Sequence, residues 1–289
     1  MPHHAVIRRD RETTEVRIVF DISSKAPGTE SLNDLLDPGA NLNPDIVQLL
    51  LMFRSLEIAM SADIAKAFLQ ILLDSPDRDF LRFFWYSTLP STQGELPPVE
   101  VWRMTRVPLW RNFPLGPFLL SATIYHHLQL QESAFPSTIA RLKERFYVDD
   151  LLTGACDLYE ATRVFEETLQ IFDAASMPVS KQITNAGPLH QIFVNRGVTR
   201  TATTVKVLGV TWNTIDDELS CSLYSVLDFL SVKRDTKRYV SQGVSRLYDP
   251  FGLLAPFTIT ANTLFQRLWE KKTTWDPQLT PEDAQVWNT

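Results

Sequence analysis

The chain has 289 residues, of which 44% are hydrophobic and 21% charged, and this composition excludes a disordered protein. It carries 28 basic and 34 acidic side chains, so its net charge of −6 excludes attraction of a partner by an overall positive field. Its only cysteines, Cys156 and Cys221, exclude a disulfide framework and a cysteine-rich zinc site. The length fits one large domain or two lobes.

The N-terminus lacks the apolar core and cleavage site of a signal peptide. The most apolar stretches, residues 46–56 and 118–130, are interrupted by polar side chains and fall short of the roughly 20 residues that a membrane span needs. The sequence therefore predicts an intracellular, cytoplasmic protein with no membrane partner.

Hydrophobic periodicity predicts the secondary structure. The predicted elements are, in chain order, a strand at 16–20, a helix at 46–56, a strand at 57–64, a short helix at 65–72, strands at 79–86 and 99–104, a helix at 118–132, a hairpin of 146–148 with 151–153, a helix at 158–174, a strand at 205–212, a helix at 227–248, a loop at 249–256 and a helix at 257–269. The elements interleave without a βαβ rhythm, which favours an α+β fold with a mainly antiparallel sheet.

Three acids lie beside apolar, strand-like segments. Asp63 follows the apolar run at 58–62, and Asp149 and Asp150 separate two short apolar runs. A carboxylate beside a buried strand needs a neutralising partner, and two carboxylates on neighbouring strands suit divalent metal ions. The alternative is structural, with Asp63 as the N-cap of the helix at 65–72 and the other two acids as an ordinary hairpin tip.

The segments around these acids resemble the motifs of reverse transcriptases. Residues 17–21 read R-x-x-x-D, residues 63–68 run from an Asp to an aromatic, residues 147–150 read Y-V-D-D, and residues 207–212 resemble the primer-grip hairpin. Blocks such as residues 247–256 resemble the Bel/Pao class of long-terminal-repeat retrotransposons more narrowly, and the resemblance covers nearly the whole chain.

The resemblance implies a right-hand polymerase fold. Fingers are expected at 1–38 and 71–116, the palm at 39–70 and 117–215, and a partial thumb and connection region at 216–289. The mainly antiparallel palm sheet is expected to pack on helices. The resemblance also implies a location in the cytoplasm or in a virus-like particle within it.

The resemblance assigns the chemistry to three acids. Asp63 and Asp149 are expected to bind two Mg²⁺ ions, with Mn²⁺ as a substitute, and Asp150 to contribute more weakly. The backbone carbonyl of Ile64 is expected to complete one metal shell. The ions would drive two-metal phosphoryl transfer from a dNTP to a primer 3′-hydroxyl. Lys181 corresponds to a lysine near the pyrophosphate that can donate a proton.

Five further residues are expected to bind substrate. The resemblance places Arg17 over the incoming nucleotide, Phe68 as a steric gate against ribonucleotides, and Tyr147 beside the primer terminus. Gly116 and Pro117 correspond to the step that leads into a helix of the nucleotide pocket. From the residues alone, Phe68 and Tyr147 could also be ordinary packing side chains and Arg17 an exposed strand residue.

The expected partners are an RNA or DNA template with its primer and dNTPs, together with self-association or other Pol segments. A locally basic stretch could follow a phosphate backbone or be a solvated helix face; it comprises Lys233, Arg234, Lys237, Arg238 and Arg246. The rival hypothesis is a truncated, catalytically silent remnant, favoured by Trp110 where the family has glycine and by the lack of recognisable protease, four-carboxylate RNase H or integrase patterns.

Overall fold

The structure is a computed structural model that describes residues 1–7, 16–90, 96–108, 115–199, 202–232 and 234–288. Trp110 and Lys233, both singled out from the sequence, lie outside these residues. The strands are β1 (His3–Ile7), β2 (Val16–Phe20), β3 (Ile58–Ile64), β4 (Arg82–Tyr86), β5 (Val99–Arg103), β6 (Phe146–Tyr147), β7 (Asp150–Ala155), β8 (Val179–Thr184), β9 (Thr204–Val207), β10 (Val210–Asn213) and β11 (Glu218–Ser220). The helices are α1 (Leu32–Leu35), α2 (Ile46–Arg54), α3 (Ala67–Gln70), α4 (Leu115–Gln131), α5 (Pro136–Leu142), α6 (Leu158–Ala174), α7 (Gly187–Arg196), α8 (Tyr224–Ser231), α9 (Lys237–Arg246), α10 (Ala255–Glu270) and α11 (Pro281–Asn288), and Asp77–Phe80 form a 3₁₀ turn.

The chain forms two compact units, Met1–Asp45 with Leu51–Thr199 and Ile46–Leu50 with Arg200–Thr289. The first unit is built on a four-stranded sheet in the order β6-β7-β3-β8, in which every neighbouring pair is antiparallel. Strand β3 lies between β7 and β8, so both of its edges are paired. The central strand therefore carries Asp63 at its C-terminal end, between two neighbours.

Helices α4, α5 and α6 cover one face of this sheet. Ala62 and Ile64 of β3 and Leu151 of β7 are buried in a cluster with side chains from all three helices. Helix α6 is amphipathic and begins at its N-cap Asp157, whose side chain accepts a hydrogen bond from the Glu160 amide. Because strand side chains alternate, Asp63 points to the other face, away from this core.

Two antiparallel ribbons of the first unit contact each other through an aromatic cluster. His3 of β1 and Phe20 of β2 make tilted and edge-to-face contacts with Phe83 and Trp85 of β4, with ring centroids 5.1–5.9 Å apart. The ribbons are β1–β2 and β4–β5. The ring contacts between the ribbons bring the N-terminal residues together with residues 82–103. The sequence interpretation had grouped both segments as fingers.

The second unit contains the three-stranded sheet β9-β10-β11 and helices α8–α11. Trp212 of β10 is fully buried, and its indole N–H donates to Asp217 over 3.0 Å. Val240, Leu264, Leu268 and Leu279 form the buried core of the helical part. None of the helices within the described residues is long and apolar enough to cross a membrane.

Most predicted elements are present, and the helix predicted at 158–174 has those bounds. The continuous strand predicted at 205–212 is wrong, because Leu208 and Gly209 both have positive φ and turn the chain. The hairpin that the resemblance placed at 207–212 is present instead, formed by β9 and β10. The single helix predicted at 227–248 is likewise wrong, because the helix ends at Ser231 and a new one starts after the N-cap Thr236.

Candidate active site

Asp63 and Asp149 are held close together by the backbone of two neighbouring strands. Asp63 is paired with Asp150 across β3 and β7, and the Ile64 amide next to it donates to the carbonyl of Asp149 over 3.0 Å. Asp149 lies in the two-residue turn that joins β6 to β7. A single backbone hydrogen bond therefore links Asp149 to the residue next to Asp63.

The two carboxylates influence each other electrostatically. Burial and the negative charge of Asp63 raise the pKa of Asp149 above its ordinary value, although the Lys181 ammonium opposes this shift. Two negative charges close together at half-buried positions are unfavourable unless a nearby cation neutralises them.

Lys181 neutralises part of this negative charge. Its ammonium forms an ion pair with the Asp63 carboxylate, whose side chain is only 17% exposed. Strand β8 is bulged against β3 at this point, and Lys181 has φ 53°. A bulge beside a site redirects a side chain, and this one turns the ammonium towards Asp63. The structure thus shows an internal counter-ion where the sequence predicted only a residue near the pyrophosphate.

The carboxylate pair fits a divalent metal ion. Hard cations such as Mg²⁺ prefer carboxylate oxygens, and Asp63 and Asp149 supply them from adjacent backbone. Within the described residues no three His, Cys, Asp or Glu side chains form a single metal-binding group, so Asp150 does not complete a three-acid cluster with the other two. The protein ligands of such an ion would therefore be the two carboxylates, with Asp150 beside them.

The structural alternative for Asp63 is wrong. Helix α3 begins after Lys66, which is its N-cap in a left-handed conformation and makes no side-chain capping bond. Asp63 instead belongs to β3 and caps nothing. The Asp63 carboxylate is therefore available for the ion pair with Lys181 and for the candidate site.

The substrate residues predicted from the sequence are distributed around this sheet. Phe68 lies on α3, after Asp63 in the chain. Its partly buried side chain packs against the core cluster on one face of the sheet. Tyr147 is paired with Asp150 across the turn. Arg17 is exposed on β2, opposite Val6.

The last two predicted substrate residues begin a helix. Gly116 and Pro117 lie in the first turn of α4, and Gly116 is buried. Helix α4 packs on the same core as Phe68. Lys181 contacts Asp63 directly, and Asp149 is linked to them by the Ile64 backbone bond and by charge interactions. Arg17, Gly116 and Pro117 have no described contact with these three residues.

The basic stretch is not a continuous exposed face. Lys237 is only 3% exposed, and its ammonium lies 3.7 Å from the centroid of the Trp269 ring and donates to the Thr273 carbonyl over 3.0 Å. Arg238 forms a bidentate pair with Asp276. The interpretation of Lys237 and Arg238 as phosphate-tracking side chains is therefore not supported, because both are used within the second unit.

Sequence reasoning missed Asn43, which contacts the turn that carries Asp149. Its side-chain oxygen accepts a hydrogen bond from the Val148 amide over 3.0 Å. The signal available in the sequence was an Asn-Pro pair ahead of a predicted helix, which is typical of a turn and points to no site. Only the fold brings residues 43 and 148 together.

The C-terminal segment matches a known family. Residues 236–289 match the family described as Pao retrotransposon-like RNaseH-like domain. The sequence interpretation assigned this segment to the thumb and connection region and did not anticipate an RNase H-like relationship. Its described portion consists of α9–α11 and their connections, and its acids Asp276 and Asp283 are paired with basic side chains.

The whole chain resembles solved structures of a foamy viral protease-reverse transcriptase in fold. The foamy viral protease-reverse transcriptase in complex with RNA/DNA hybrid matches with a TM-score of 0.61 and 13% identity over 99% of this chain and 32% of that one. The foamy viral protease-reverse transcriptase dRH in complex with double-stranded DNA matches with a TM-score of 0.60 and 16% identity over 99% and 42%. The chain thus spans less than half of either protein. No curated protein shows significant sequence similarity.

These comparisons show a fold for the whole chain and a family match for its C-terminal segment. The mixed fold of helices and antiparallel sheets is that of part of a retroviral protease-reverse transcriptase, and the C-terminal segment matches a Pao retrotransposon family. At 13–16% identity the likeness concerns fold and not activity.

Proposed function

We propose that the chain is the polymerase core of a Bel/Pao-type retrotransposon reverse transcriptase, adding dNTPs to a primer 3′-hydroxyl on an RNA or DNA template. The observation that carries the proposal is the carboxylate pair of Asp63 and Asp149, held on adjacent strands by the Ile64–Asp149 backbone bond. The order of motifs in the sequence and the retroviral fold support it.

In this proposal the sheet β6-β7-β3-β8 with α4–α6 is the palm, and the two ribbons with the intervening loops belong to the fingers. The aromatic cluster of His3, Phe20, Phe83 and Trp85 supports grouping residues 1–38 with 71–116. Residues 216–289 would supply a partial thumb and connection region, a proposal that stands beside the RNase H-like family match.

Each side chain of the site has a role that its position allows. Asp63 and Asp149 would hold Mg²⁺, with Asp150 and the Ile64 carbonyl as further oxygen donors. When bound, the metal ions would stabilise the charge that develops during phosphoryl transfer. Lys181, now paired with Asp63, would release it and pair with a phosphate of the bound nucleotide. Arg17 would contact the triphosphate, and Tyr147 the primer terminus.

The proposal is tested by extension of a DNA primer on an RNA template with Mg²⁺, with Asp149→Asn as the blank. Extension by the wild type that the blank lacks supports the proposal. A wild-type protein that binds primer–template and extends nothing supports the second candidate function, a chain that keeps the fold and only binds nucleic acid. One observation favours that candidate, namely that Lys181 already neutralises Asp63.

Lys181→Met is expected to tighten Mn²⁺ binding by up to about tenfold, or about 1.4 kcal/mol. The reason is that the metal ion no longer competes with the ammonium for Asp63, to which Lys181 is ion-paired. Calorimetric titration measures the change, and Lys143→Met, which removes a lysine paired with Glu132 at the surface, is the matched control. Equal or weaker Mn²⁺ binding by Lys181→Met would show that the ion pair does not compete with metal.

Phe68→Ala is expected to raise incorporation of ribonucleotides relative to deoxynucleotides at least about tenfold, the scale of discrimination that one pocket contact provides. Phe68 lies on α3, after Asp63 in the chain, and its side chain is only partly buried, so part of the ring is available to a substrate. Competing rNTP and dNTP incorporation measures the ratio. An unchanged ratio with retained activity would assign Phe68 to the core alone. Leu69→Ala, an exposed neighbour on the same helix, is the control.

A further inference from the structure

The turn that carries Asp149 contains an unusual backbone conformation. Tyr147 and Asp150 are paired, so Val148 and Asp149 are the two central residues of the turn, and Val148 has φ 57°. A positive φ at the first central residue alone is typical of a type II′ turn, where glycine is the usual residue. A β-branched side chain is rarely found there, because its Cβ crowds the backbone.

Asn43 contacts this strained turn at its backbone. Its Oδ1 accepts hydrogen bonds from the Val148 amide over 3.0 Å and from the Ser121 hydroxyl of α4 over 3.2 Å. The Asn43 amide nitrogen Nδ2 donates to Asn41 Oδ1 over 3.3 Å, which leaves Oδ1 directed at Val148. Pro44 follows, and a residue before proline is restricted to extended conformations. The side chain is therefore fixed from three sides.

Asn43 also lies in a segment that is closely packed on α4. Gly39 has φ 71°, and a Cβ added there would lie 2.5 Å from the ring of Phe118. Only glycine allows this approach, which brings residues 39–43 against the helix. Ser121, the second donor to Asn43, is 6% exposed. The support of the turn is thus partly buried, with Ser121 inside the first unit and Asn43 at its boundary with solvent.

The two central residues of the turn are held on opposite sides. Asn43 Oδ1 binds the amide of Val148, and the Ile64 amide binds the carbonyl of Asp149. The peptide group between Val148 and Asp149 lies between these two bonds, so its orientation, and with it the direction of the Asp149 side chain, is fixed. Loss of either bond lets the strained Val148 relax to negative φ.

We infer that Asn43 is a positioning residue, which holds Val148 in its left-handed conformation and so keeps the Asp149 carboxylate beside Asp63. The consequence for metal binding rests on the proposed function, whereas the positioning of the turn does not. Residues that orient a metal ligand typically change affinity or activity 10–100-fold when removed. Asn43→Ala should therefore weaken Mn²⁺ binding by about tenfold or more.

The experiment compares four variants with the wild type. Asn43→Ala removes the acceptor, and Asn43→Ala with Val148→Gly tests rescue, because glycine adopts the positive φ without the support of Asn43. Val148→Gly alone measures the loss of the side chain. Asn195→Ala removes an exposed asparagine of α7 as the matched control. Two quantities are measured, hydrogen exchange of the residue 148 amide by NMR and Mn²⁺ affinity by calorimetry.

The inference predicts exchange at Val148 at least about tenfold faster in Asn43→Ala, because its amide has lost its acceptor. It also predicts weaker Mn²⁺ binding that Val148→Gly largely restores, which a general loss of stability would not show. Unchanged exchange, or weakened Mn²⁺ binding that Val148→Gly leaves unrestored, overturns the inference. If the wild type binds no Mn²⁺, the proposed function fails and the exchange rate alone decides the inference.

Discussion

Asp63→Asn and Asp149→Asn are each expected to lower nucleotide incorporation at least about a thousandfold, yet to change thermal stability in opposite directions. Removing one member of a preorganised set of catalytic groups commonly lowers the reaction rate by about this factor. Both carboxylates are members of one pair, so either replacement turns one of the two charged ligands that a metal ion would use into a neutral amide.

The stability difference follows from the partners of the two acids. Burial and the charge of Asp63 raise the pKa of Asp149, so its ionised form is unfavourable in the folded state. The folded wild type should therefore become more stable as the pH falls through this raised pKa, because Asp149 becomes neutral. The side chain in Asp149→Asn is neutral at every pH, so this variant should be more stable than the wild type at neutral pH. Asp63→Asn instead removes the partner of Lys181 and is expected to lower the melting temperature.

Single-turnover incorporation and thermal melting without metal measure the two effects. Asp173→Asn, at an exposed position of α6, is the matched control and should change neither quantity. Equal destabilisation by both active-site variants would contradict the electrostatic description of the pair. Retained incorporation by either variant would remove that acid from the catalytic set.

Asp283→Asn is expected to destabilise the protein by about 3 kcal/mol, the lower end of the loss seen when one partner of a buried ion pair is removed. Asp283 is 1% exposed and accepts hydrogen bonds from Lys271 and Thr280, and Arg267 lies 2.9 Å away. An amide in its place would present N–H donors to groups that are themselves donors.

The same residue predicts a pH dependence. Burial raises the pKa of Asp283, but hydrogen bonds from Lys271 and Thr280 and the charges of Lys271 and Arg267 outweigh burial and lower it overall. A lowered pKa stabilises the folded state above the unfolded value near pH 4, and this contribution is lost as the pH falls through the folded value. The difference between wild type and variant should thus be largest near neutral pH.

Chemical denaturation at pH 7 and in steps below pH 4 measures this difference. Asp276→Asn is the control, because Asp276 pairs with Arg238 at the surface and its loss should change stability little. A difference that stays constant down to the lowest pH would show that the charge of Asp283 is not what stabilises the second unit.

The sequence anticipated the elements with strong local patterns. Helix α6 was predicted to the residue because its apolar positions recur at helical spacing after a good N-cap, Asp157. The motif around Asp149 predicted a charged hairpin tip, and the structure has one. The position of Asp63 on a buried strand was predicted as well, because four of the five residues before it are apolar.

Features that depend on distant residues were not predictable. Strand β8 was missed because its bulge at Lys181 breaks the alternation of side chains, and the ion pair with Asp63 was missed with it. Asn43 is 105 residues from Val148 in the chain. Lys237 looked like a surface charge because a basic helix is usually solvated, yet two tryptophans enclose it.

The central claim is that Asp63 and Asp149 form one metal-binding carboxylate pair. Its most direct test is calorimetric titration of the wild type and of Asp149→Asn with Mn²⁺, with Asp173→Asn as the control. We predict saturable binding by the wild type and the control that Asp149→Asn weakens at least about tenfold. Equal binding by wild type and Asp149→Asn, or no binding by the wild type, would contradict the claim.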